Sequence, residues 1–301
     1  MSKPVKIVCR GCRAKYDVTD FPPFTELACP ECGTIIRTPE PFSRYLLEKL
    51  CGTGGMAKIY RAIDPVLSRR VAVKIMRNNP DVTEISGNLF AKARLFAAVS
   101  HPHIVPVYDC GQEGDDEYLV MQFMDNGDLE SRIKAQQLPS PQMTAEIIRS
   151  IASALNYLYV EHRIVHHDVK PSNFLLDSDG NVKLTDFDLA EKCGFDGKTD
   201  PIPLWGSPGY ISPERLYSGC ETFKGDIFSL GVAFYELLSG KTPFALQGEV
   251  EELYEQRKRP FTPIENLCPD VDKKYAQLIA RMLSFDENER PGYPEIIRTL
   301  G

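Results

Sequence analysis

Four side chains between residues 168 and 186 are of the types that phosphoryl transfer from a nucleotide requires. Asp168 can accept the proton of an acceptor hydroxyl group, and Lys170 can lie against a γ-phosphate. Asn173 and Asp186 offer the hard oxygen ligands that Mg²⁺ prefers. A base, a cation and metal ligands therefore lie close together in the chain, which predicts a site for phosphoryl transfer from a magnesium nucleotide.

Further motifs occur on both sides of these residues. In chain order they are GTGGMAKIY (52–60), VAVKIM (71–76), YLVMQFMDNGDL (118–129), IVHHDVKPSN (164–173), GSPGYISPE (206–214) and DIFSLG (226–231). Through these motifs and their order, about residues 43–301 resemble the protein kinases, and specifically the bacterial serine/threonine kinases.

The resemblance implies an α+β fold, the bilobal protein kinase fold. Its β-rich N-lobe, with one helix, is expected over about residues 45–121, and its mainly helical C-lobe over about 125–301. Hydrophobic periodicity in the sequence supports this division. Strands are predicted at 45–50, 57–63 and 71–76, and helices at 83–99, 143–160 and 226–238. The last helix is apolar almost all round, so we expect it at the centre of its lobe.

The resemblance also implies that ATP and Mg²⁺ are cofactors and that a protein with a serine or threonine hydroxyl is the substrate. Asp168, Lys170 and Lys74 take the catalytic roles, with Lys74 holding the α- and β-phosphates. The glycine-rich turn serves the phosphates, because backbone N–H groups must approach them more closely than a Cβ permits. The positions implied to bind the nucleotide are Gly52, Gly54, Gly55, Ile59, Ala72, Lys74, Met121, Gln122, Met124, Asn173 and Asp186, of which the last two also ligate magnesium.

Two histidines, His166 and His167, precede the implied catalytic base. They could form a metal pair or a separate acid and base, because imidazole titrates near neutrality. We interpret both as structural instead. The resemblance places His166 as a packing residue that anchors the backbone, and Asp226 as an acceptor for backbone N–H groups of the same loop. It also implies an ion pair between Glu214 and Arg290.

Four positions depart from the family pattern, and the mildest is Ala57, which replaces the third glycine of the glycine-rich turn. Lys92 stands where the family carries the glutamate that pairs with the strand lysine, so Lys74 would lack its usual partner. His167 replaces an arginine that receives a phosphate on the activation segment, and Thr199 is the only hydroxyl side chain between residues 188 and 205. Regulation through phosphorylation of that segment is therefore not expected. Asp188 replaces a glycine, which restricts the backbone there.

Two functions from different classes remain open. The first is a serine/threonine kinase that is weakly active and not regulated by activation-loop phosphorylation. The second is a pseudokinase, an ATP-binding scaffold or allosteric module that carries a partner-binding element at its amino terminus. Retention of Asp168, Asn173 and Asp186 favours catalysis, whereas Lys92 favours the scaffold.

Four of the nine cysteines form two C-x-x-C pairs near the amino terminus, Cys9 with Cys12 and Cys29 with Cys32. Each pair places two thiolates on a tight turn, and two such turns close a tetrahedral shell around Zn²⁺. Residues 1–40 therefore resemble a zinc ribbon, in which the metal is structural because all four positions are filled. The domain boundary is placed near residue 40, with residues 37–44 as a short, stiff linker before a kinase domain over 41–301.

Disulfides or free thiols are the alternative interpretation of these pairs. The other cysteines argue against it, because they are scattered singly, as buried packing residues in a reducing cytoplasm are. They are Cys51, Cys110, Cys193, Cys220 and Cys268. Six basic against five acidic residues in positions 1–40 make a weak surface for nucleic acid. We therefore expect the ribbon to contact a protein partner, or else to cap the N-lobe.

Composition restricts the class of protein further. With 301 residues, 43% hydrophobic and 26% charged, the chain is globular and long enough for a two-lobed core. Its 35 basic and 42 acidic residues leave a formal net charge of −7, which disfavours a general binder of nucleic acid or acidic membranes. No apolar stretch approaches the roughly 18 residues of a spanning helix, and the first residues lack the apolar core of a secretion signal. We therefore expect a cytoplasmic protein without a membrane segment.

Overall fold

The computed structural model describes residues 4–54, 57–76, 95–201 and 207–301. The chain divides into two compact units, Met1–Ala98 with Pro106–Phe123 and Val99–Val105 with Met124–Gly301. Gly55, Lys92 and most of the helix predicted over 83–99 lie outside the described residues, and helical residues at 95–97 lie within them.

The first unit begins with two short antiparallel hairpins. Strand β1 (Lys6–Val8) pairs with β2 (Lys15–Asp17), and β3 (Glu26–Ala28) pairs with β4 (Ile35–Arg37). The turns between the strands contain the C-x-x-C pairs. The two hairpins are copies of one local structure.

A six-stranded antiparallel sheet makes up most of the rest of the first unit. Its strands are β5 (Glu40–Phe42), β6 (Tyr45–Thr53), β7 (Ala57–Asp64), β8 (Arg69–Met76), β9 (Val107–Glu113) and β10 (Asp116–Gln122), in the spatial order β5-β6-β7-β8-β10-β9. One cluster of buried side chains forms its core: Tyr45, Leu47, Ala62, Val71, Val73, Ile75, Tyr118 and Val120. The three strands predicted from the sequence are present, each slightly longer than predicted.

The prediction of a linker over residues 37–44 was wrong in part. Residues 40–42 form the edge strand β5, which pairs with β6 through Glu40 opposite Leu47 and Phe42 opposite Tyr45. Pro41 lacks a backbone N–H but is tolerated in an edge strand, because one side of that strand has no neighbour to bond. The prolines therefore favoured an extended backbone here without preventing a strand.

The second unit is mainly helical. Its helices are α1 (Leu129–Lys134), α2 (Pro141–His162), α3 (Pro213–Ser218), α4 (Phe223–Ser239), α5 (Val250–Lys258), α6 (Lys273–Met282) and α7 (Tyr293–Leu300). Ser140 caps α2 by accepting from the N–H of Met143, and α2 ends at Arg163 in the left-handed conformation. Helix α4 is buried on all sides from Gly225 to Leu238, which confirms its predicted place at the centre of this unit.

Two small hairpins of the second unit position the chemistry-bearing loops. Strand β11 (Ile164–Val165) pairs with β14 (Glu191–Lys192), and β12 (Phe174–Leu176) pairs with β13 (Val182–Leu184). We call residues 166–173, between β11 and β12, the catalytic loop.

A β-rich amino-terminal part and a helical carboxyl-terminal part confirm the α+β fold class. Among the helices of the described residues, each is too short or too polar to cross a bilayer.

Candidate functional site

Asp226, in the first turn of α4, anchors the backbone of the catalytic loop. Its two carboxylate oxygens accept the backbone N–H groups of His166 and His167, at 2.7 and 2.8 Å. Asp226 is only 2% exposed, and burial raises its pKa to about 6. The predicted role of Asp226 as an acceptor for this loop is confirmed.

His166 fixes the loop from the inside. Its Nδ1 accepts the backbone N–H of Asp168, so its Nε2 is the protonated nitrogen and donates to the carbonyl oxygen of Thr185, both at 3.2 Å. The ring also packs edge to face against Phe187, with 5.1 Å between centroids. Burial lowers the pKa of His166 to about 4, so the imidazole is neutral. His166 is therefore the packing and anchoring residue that the sequence predicted.

Three of the predicted site residues meet around the carboxylate of Asp168. Nδ2 of Asn173 donates to Oδ2 of Asp168 at 2.9 Å and to the main-chain oxygen of Asp168 at 2.7 Å. Nζ of Lys170 lies 2.8 Å from the same Oδ2 and donates to Oγ of Ser207 at 3.1 Å. All the side-chain contacts therefore converge on one carboxylate oxygen, and Oδ1 takes part in none of these bonds.

Asn173 and Asp186 suit the predicted magnesium site. Both bonds of the Asn173 amide to Asp168 use its nitrogen, so its oxygen is the atom left for a cation. Asn173 directly precedes β12, whose first residue Phe174 lies opposite Leu184, the last residue of β13. Asp186 follows two residues later with a positive φ of 64°. The hairpin thus carries an amide oxygen and a carboxylate at the same end, a donor set that magnesium accepts.

In the first unit, strand register places four predicted nucleotide-binding residues on one face of the sheet. Ile59 lies directly opposite Lys74, and Ala72 lies directly opposite Met121. Directly opposed residues share a face, and so do residues two apart on one strand, as Ala72 and Lys74 are. Lys74 is 6% exposed. The face therefore combines apolar side chains with one buried ammonium group.

Described atoms leave space beside the glycines of the glycine-rich turn. Gly52 pairs with Ile59, and the N–H of Gly54 donates to the carbonyl oxygen of Ala57 at 2.9 Å. A Cβ at Gly52 would meet no described atom within 4 Å, and one at Gly54 would meet only that carbonyl oxygen, at 3.7 Å. Packing among the described residues does not demand these glycines. Their backbone suits close approach by a phosphate.

One of the backbone groups predicted to bind adenine, the N–H of Gln122, already has a hydrogen-bond partner. Its N–H donates to the carbonyl oxygen of Pro106 at 3.1 Å, so this donor is already used within the first unit. Met121 and Met124 are both buried, at the carboxyl end of β10 and just beyond it.

Two arginines hold the GSPGYISPE segment. Arg290 donates through Nη1 and Nη2 to the two carboxylate oxygens of Glu214, at 2.7 and 2.8 Å, which confirms the predicted pair. Arg257, on α5, donates to the carbonyl oxygens of Pro208 and Gly209 at 2.8 and 3.1 Å. Arg257 was not identified from the sequence, because its contacts are to backbone groups far along the chain. Burial lowers its pKa to about 10.

The four amino-terminal cysteines come together as predicted for zinc. All four sulfur atoms lie within 4.8 Å of one another. Sγ of Cys9 is 3.6 Å from that of Cys32, and Sγ of Cys12 is 3.6 Å from that of Cys29. Zinc–sulfur bonds of about 2.3 Å in a tetrahedron separate the sulfurs by about 3.8 Å. The spacing therefore fits a Cys₄ zinc site.

Local geometry supports each turn of this cluster. The backbone N–H of Arg13 donates to the carbonyl oxygen of Cys9, and that of Gly33 donates to the carbonyl oxygen of Cys29, both at 2.9 Å. Both donor residues have a positive φ. The Tyr16 hydroxyl, 3.1 Å from Sγ of Cys29, lowers the pKa of that thiol to about 6, which favours the thiolate that zinc binds.

The remaining cysteines are only partly as predicted. All nine cysteines lie within the described residues and carry free thiols. Cys193 is buried, but Cys110, Cys220 and Cys268 are half-buried and Cys51 is exposed on β6. The packing prediction was therefore wrong for Cys51, which lies in a run of three exposed residues, 49–51, towards the end of β6.

Contacts inside the first unit tie the hairpins to the six-stranded sheet. Phe24 stacks on Tyr60, with 6.2 Å between centroids. Arg10, inside the first C-x-x-C, pairs with Glu48 of β6 at 2.5 Å, and Glu48 also accepts from Arg61 of β7 at 3.0 Å. The glycine-rich turn joins these same two strands.

Comparison with known proteins agrees with this geometry. A family model described as the protein kinase domain matches residues 45–300. The chain is 33% identical over 248 residues to serine/threonine-protein kinase PrkC of Bacillus subtilis (strain 168), which covers 82% of this chain and 38% of that protein. It is 33% identical over 249 residues to the probable serine/threonine-protein kinase PknB of Lactococcus lactis subsp. lactis (strain IL1403), with 82% and 40% covered.

A mycobacterial relative has the same degree of similarity. Serine/threonine-protein kinase PknA of Mycobacterium tuberculosis (strain ATCC 25618 / H37Rv) is 34% identical over 245 residues, which cover 78% of this chain and 55% of that protein. The chain therefore spans between 38% and 55% of the length of these three relatives. The family match includes every kinase-like motif from the glycine-rich turn to DIFSLG, and the chain belongs to the protein kinase family.

Proposed function

We propose that the chain is a serine/threonine protein kinase that transfers the γ-phosphoryl group of Mg-ATP to a protein hydroxyl. The observation that carries this proposal is the arrangement around Asp168. Asn173 and Lys170 hold its Oδ2, which leaves Oδ1 to accept the proton of the acceptor hydroxyl. The relatives named as serine/threonine kinases support the same acceptor class.

In this proposal each residue of the site has a separate role in the reaction. Asp168 orients the acceptor hydroxyl and takes its proton, and Lys170, between Asp168 and Ser207, places positive charge beside the transferred group. Asn173 and Asp186 would hold magnesium through their oxygens. Bound Mg-ATP supplies the activated phosphoryl group.

The first unit would supply the nucleotide contacts. Lys74 would neutralise charge on the α- and β-phosphates, and the backbone of Gly52 and Gly54 would approach them closely. Gly55 lies outside the described residues and is proposed on its place in the motif. Ile59, Ala72 and Met121 are proposed to contact the base through apolar side chains, and Gln122 and, in the second unit, Met124 through their backbone.

We propose further that phosphorylation of the activation segment does not control this site. Thr199, the only hydroxyl side chain of residues 188–205, is 4% exposed. Its hydroxyl donates to the carbonyl oxygen of Glu221 at 3.3 Å. A modifying enzyme would have to expose Thr199 before reaching it.

For the amino-terminal hairpins we propose a structural zinc ion and a role in contacting a protein partner. The sulfur spacing supports the metal, and the near-balanced charge of residues 1–40 favours protein over nucleic acid. The free thiols suit a reducing compartment, so we propose the cytoplasm as the location.

A pseudokinase is the second candidate, because Lys92 replaces the family's glutamate. Purified protein with Mg²⁺ and labelled ATP distinguishes the two on a generic basic protein as acceptor. We expect label on serine or threonine, and Asp168→Asn should lower kcat about a hundredfold or more while ATP still raises Tm. Asp179→Asn, on the exposed turn between β12 and β13, is the matched control and should behave as wild type.

The other outcomes decide against the kinase. No transfer by wild type, with ATP still raising Tm, would establish the scaffold. Neither transfer nor a shift in Tm would contradict both candidates.

A further inference from the structure

A buried acid–base pair lies beneath the catalytic loop. Oε1 of Glu221, between α3 and α4, is 2.5 Å from Nδ1 of His167, and these side chains are 3% and 0% exposed. Burial alone would raise the pKa of Glu221, but the hydrogen bond and charge of His167 and the charge of Arg215 hold it below its ordinary value. Glu221 is therefore an anion inside the protein.

Glu221 also contacts the two segments that follow the catalytic loop. Its Oε2 accepts from Oγ of Ser212, the cap of α3, at 2.6 Å. Its main-chain oxygen accepts from both the N–H and the hydroxyl of Thr199, at 3.1 and 3.3 Å. Arg215 of α3 donates to the carbonyl oxygen of His167 at 2.7 Å and lies 3.8 Å from Oε1 of Glu221. One residue thus joins the catalytic loop, the segment around Thr199 and the start of α3.

The first turn of α4 leaves room for this carboxylate. A Cβ at Gly225 would lie 1.8 Å from Oε2 of Glu221 and 2.3 Å from its Cδ, so a larger residue would displace the acid. Glycine is costly within a helix compared with alanine, so its place here matches a need for space. The glycine at 225, the histidine at 167 and the glutamate at 221 therefore form one matched set.

We propose that Glu221 is a positioning residue that keeps the catalytic loop and the segment around Thr199 in place without phosphorylation. In the family pattern an arginine at position 167 would receive a phosphate. Here the imidazole of His167 meets a carboxylate that the chain already carries. The proposal concerns regulation of the kinase site and rests on the proposed function.

Hydrogen exchange tests the positioning role without relying on turnover. Glu221→Gln removes the charge with little change in shape, and Asp177→Asn makes the same change on a buried acid whose carboxylate accepts from Asp179 and Asn181 of its own turn. We expect backbone exchange in peptides containing His167 and Thr199 to become at least about tenfold faster in Glu221→Gln. In Asp177→Asn, exchange in those peptides should match wild type.

Kinetics then separates positioning from nucleotide binding. In Glu221→Gln we expect kcat to fall about tenfold or more while KM for ATP changes less than about twofold, because the loop is misplaced but the phosphate contacts are not touched. Phosphatase treatment of wild type should leave kcat unchanged. If wild type transfers no phosphate, the proposed function fails and the exchange measurement alone decides the role of Glu221.

Wild-type exchange rates in Glu221→Gln would overturn the proposal, and so would loss of wild-type activity after phosphatase treatment. If Glu221→Gln does not fold, the double variant His167→Gln with Glu221→Gln replaces it, because neither partner is then left buried without the other. The same criterion applies: exchange that stays at the wild-type rate overturns the role of Glu221.

Discussion

The amino-terminal hairpins and the catalytic loop both present chemical groups on short turns, but different forces hold them. Among the hairpins, one cluster has only Cys9, Cys29 and Ile36 buried, and two of these are themselves proposed ligands. The catalytic loop instead rests on Asp226, at the start of a helix that is buried on all sides. A short segment can thus be stabilised by a bound metal or by packing against a buried helix. The two segments should therefore respond differently to metal removal and to substitutions in the packed helices.

Removing zinc should have the largest effect, and it should be confined to the hairpins. Structural zinc contributes apparent binding energies of about 10–16 kcal/mol in small zinc-finger peptides, far more than the few buried residues of the hairpins can replace. We expect one zinc ion per chain by metal analysis, and rapid proteolysis within residues 4–38 after chelation. The helices of the second unit should keep their circular dichroism.

Single substitutions make this prediction specific. Cys29→Ser should lower the zinc content, whereas Cys51→Ser, which removes an exposed thiol outside the cluster, should leave it at one. An unchanged zinc content in Cys29→Ser would show that the four thiols do not form the site.

Breaking the Arg290–Glu214 pair should have the next largest effect, and in the other unit. The Arg290 side chain is fully buried and also donates to the carbonyl oxygens of Ser284 and Lys224. Removing one partner of a buried ion pair costs about 3–5 kcal/mol. Arg290→Met should lower the free energy of unfolding by that amount in urea, followed by helical circular dichroism, with zinc content unchanged.

The exposed pair between Arg281 and Glu295 provides the control. Its side chains are 50% and 36% exposed, and such pairs contribute about 1 kcal/mol or less. Arg281→Met should therefore lower the free energy of unfolding much less than Arg290→Met. Equal losses in the free energy of unfolding would mean that burial does not determine how strongly these ion pairs stabilise the protein. The proposed difference between hairpins held by a metal and a catalytic loop held by buried packing would then lack support.

Residues whose type is set by the reaction or by a metal were predictable from the sequence. Asp168, Lys170 and Asn173 were singled out by chemistry and spacing alone, and the structure brings them together. The C-x-x-C pairs were predictable for the same reason, because a structural zinc ion takes four ligands and two such pairs supply them. Long apolar helices such as α4 were also clear, since periodicity over many residues leaves few alternatives.

Residues that act through contacts far along the chain were not predictable. Glu221 lies 54 positions from its partner His167, and Arg257 bonds backbone 49 positions away. Neither carries a local motif, so only folding reveals the contact. The short strand β5 was missed because the two prolines of residues 37–44 and their lack of periodicity are typical of a linker, while the pairing of β5 with β6 depends on tertiary structure.

Acidification should have the smallest of these effects. It should lower the free energy of unfolding of the second unit through protonation of His166. Burial lowers the pKa of His166 to about 4, while an unfolded histidine titrates near 6.5, so between these values the unfolded chain binds more protons. The contribution of His166 to the free energy of unfolding is therefore fully present above pH 6.5 and is lost as pH falls toward 4, by on the order of 3 kcal/mol.

We expect wild type to lose stability across this window more steeply than His166→Gln, measured by urea unfolding with helical circular dichroism. His162→Gln, which removes a partly exposed imidazole from the same unit, is the control. Parallel pH profiles for wild type and His166→Gln would mean that the buried imidazole is not held neutral and that its protonation does not weaken the packed scaffold of the catalytic loop.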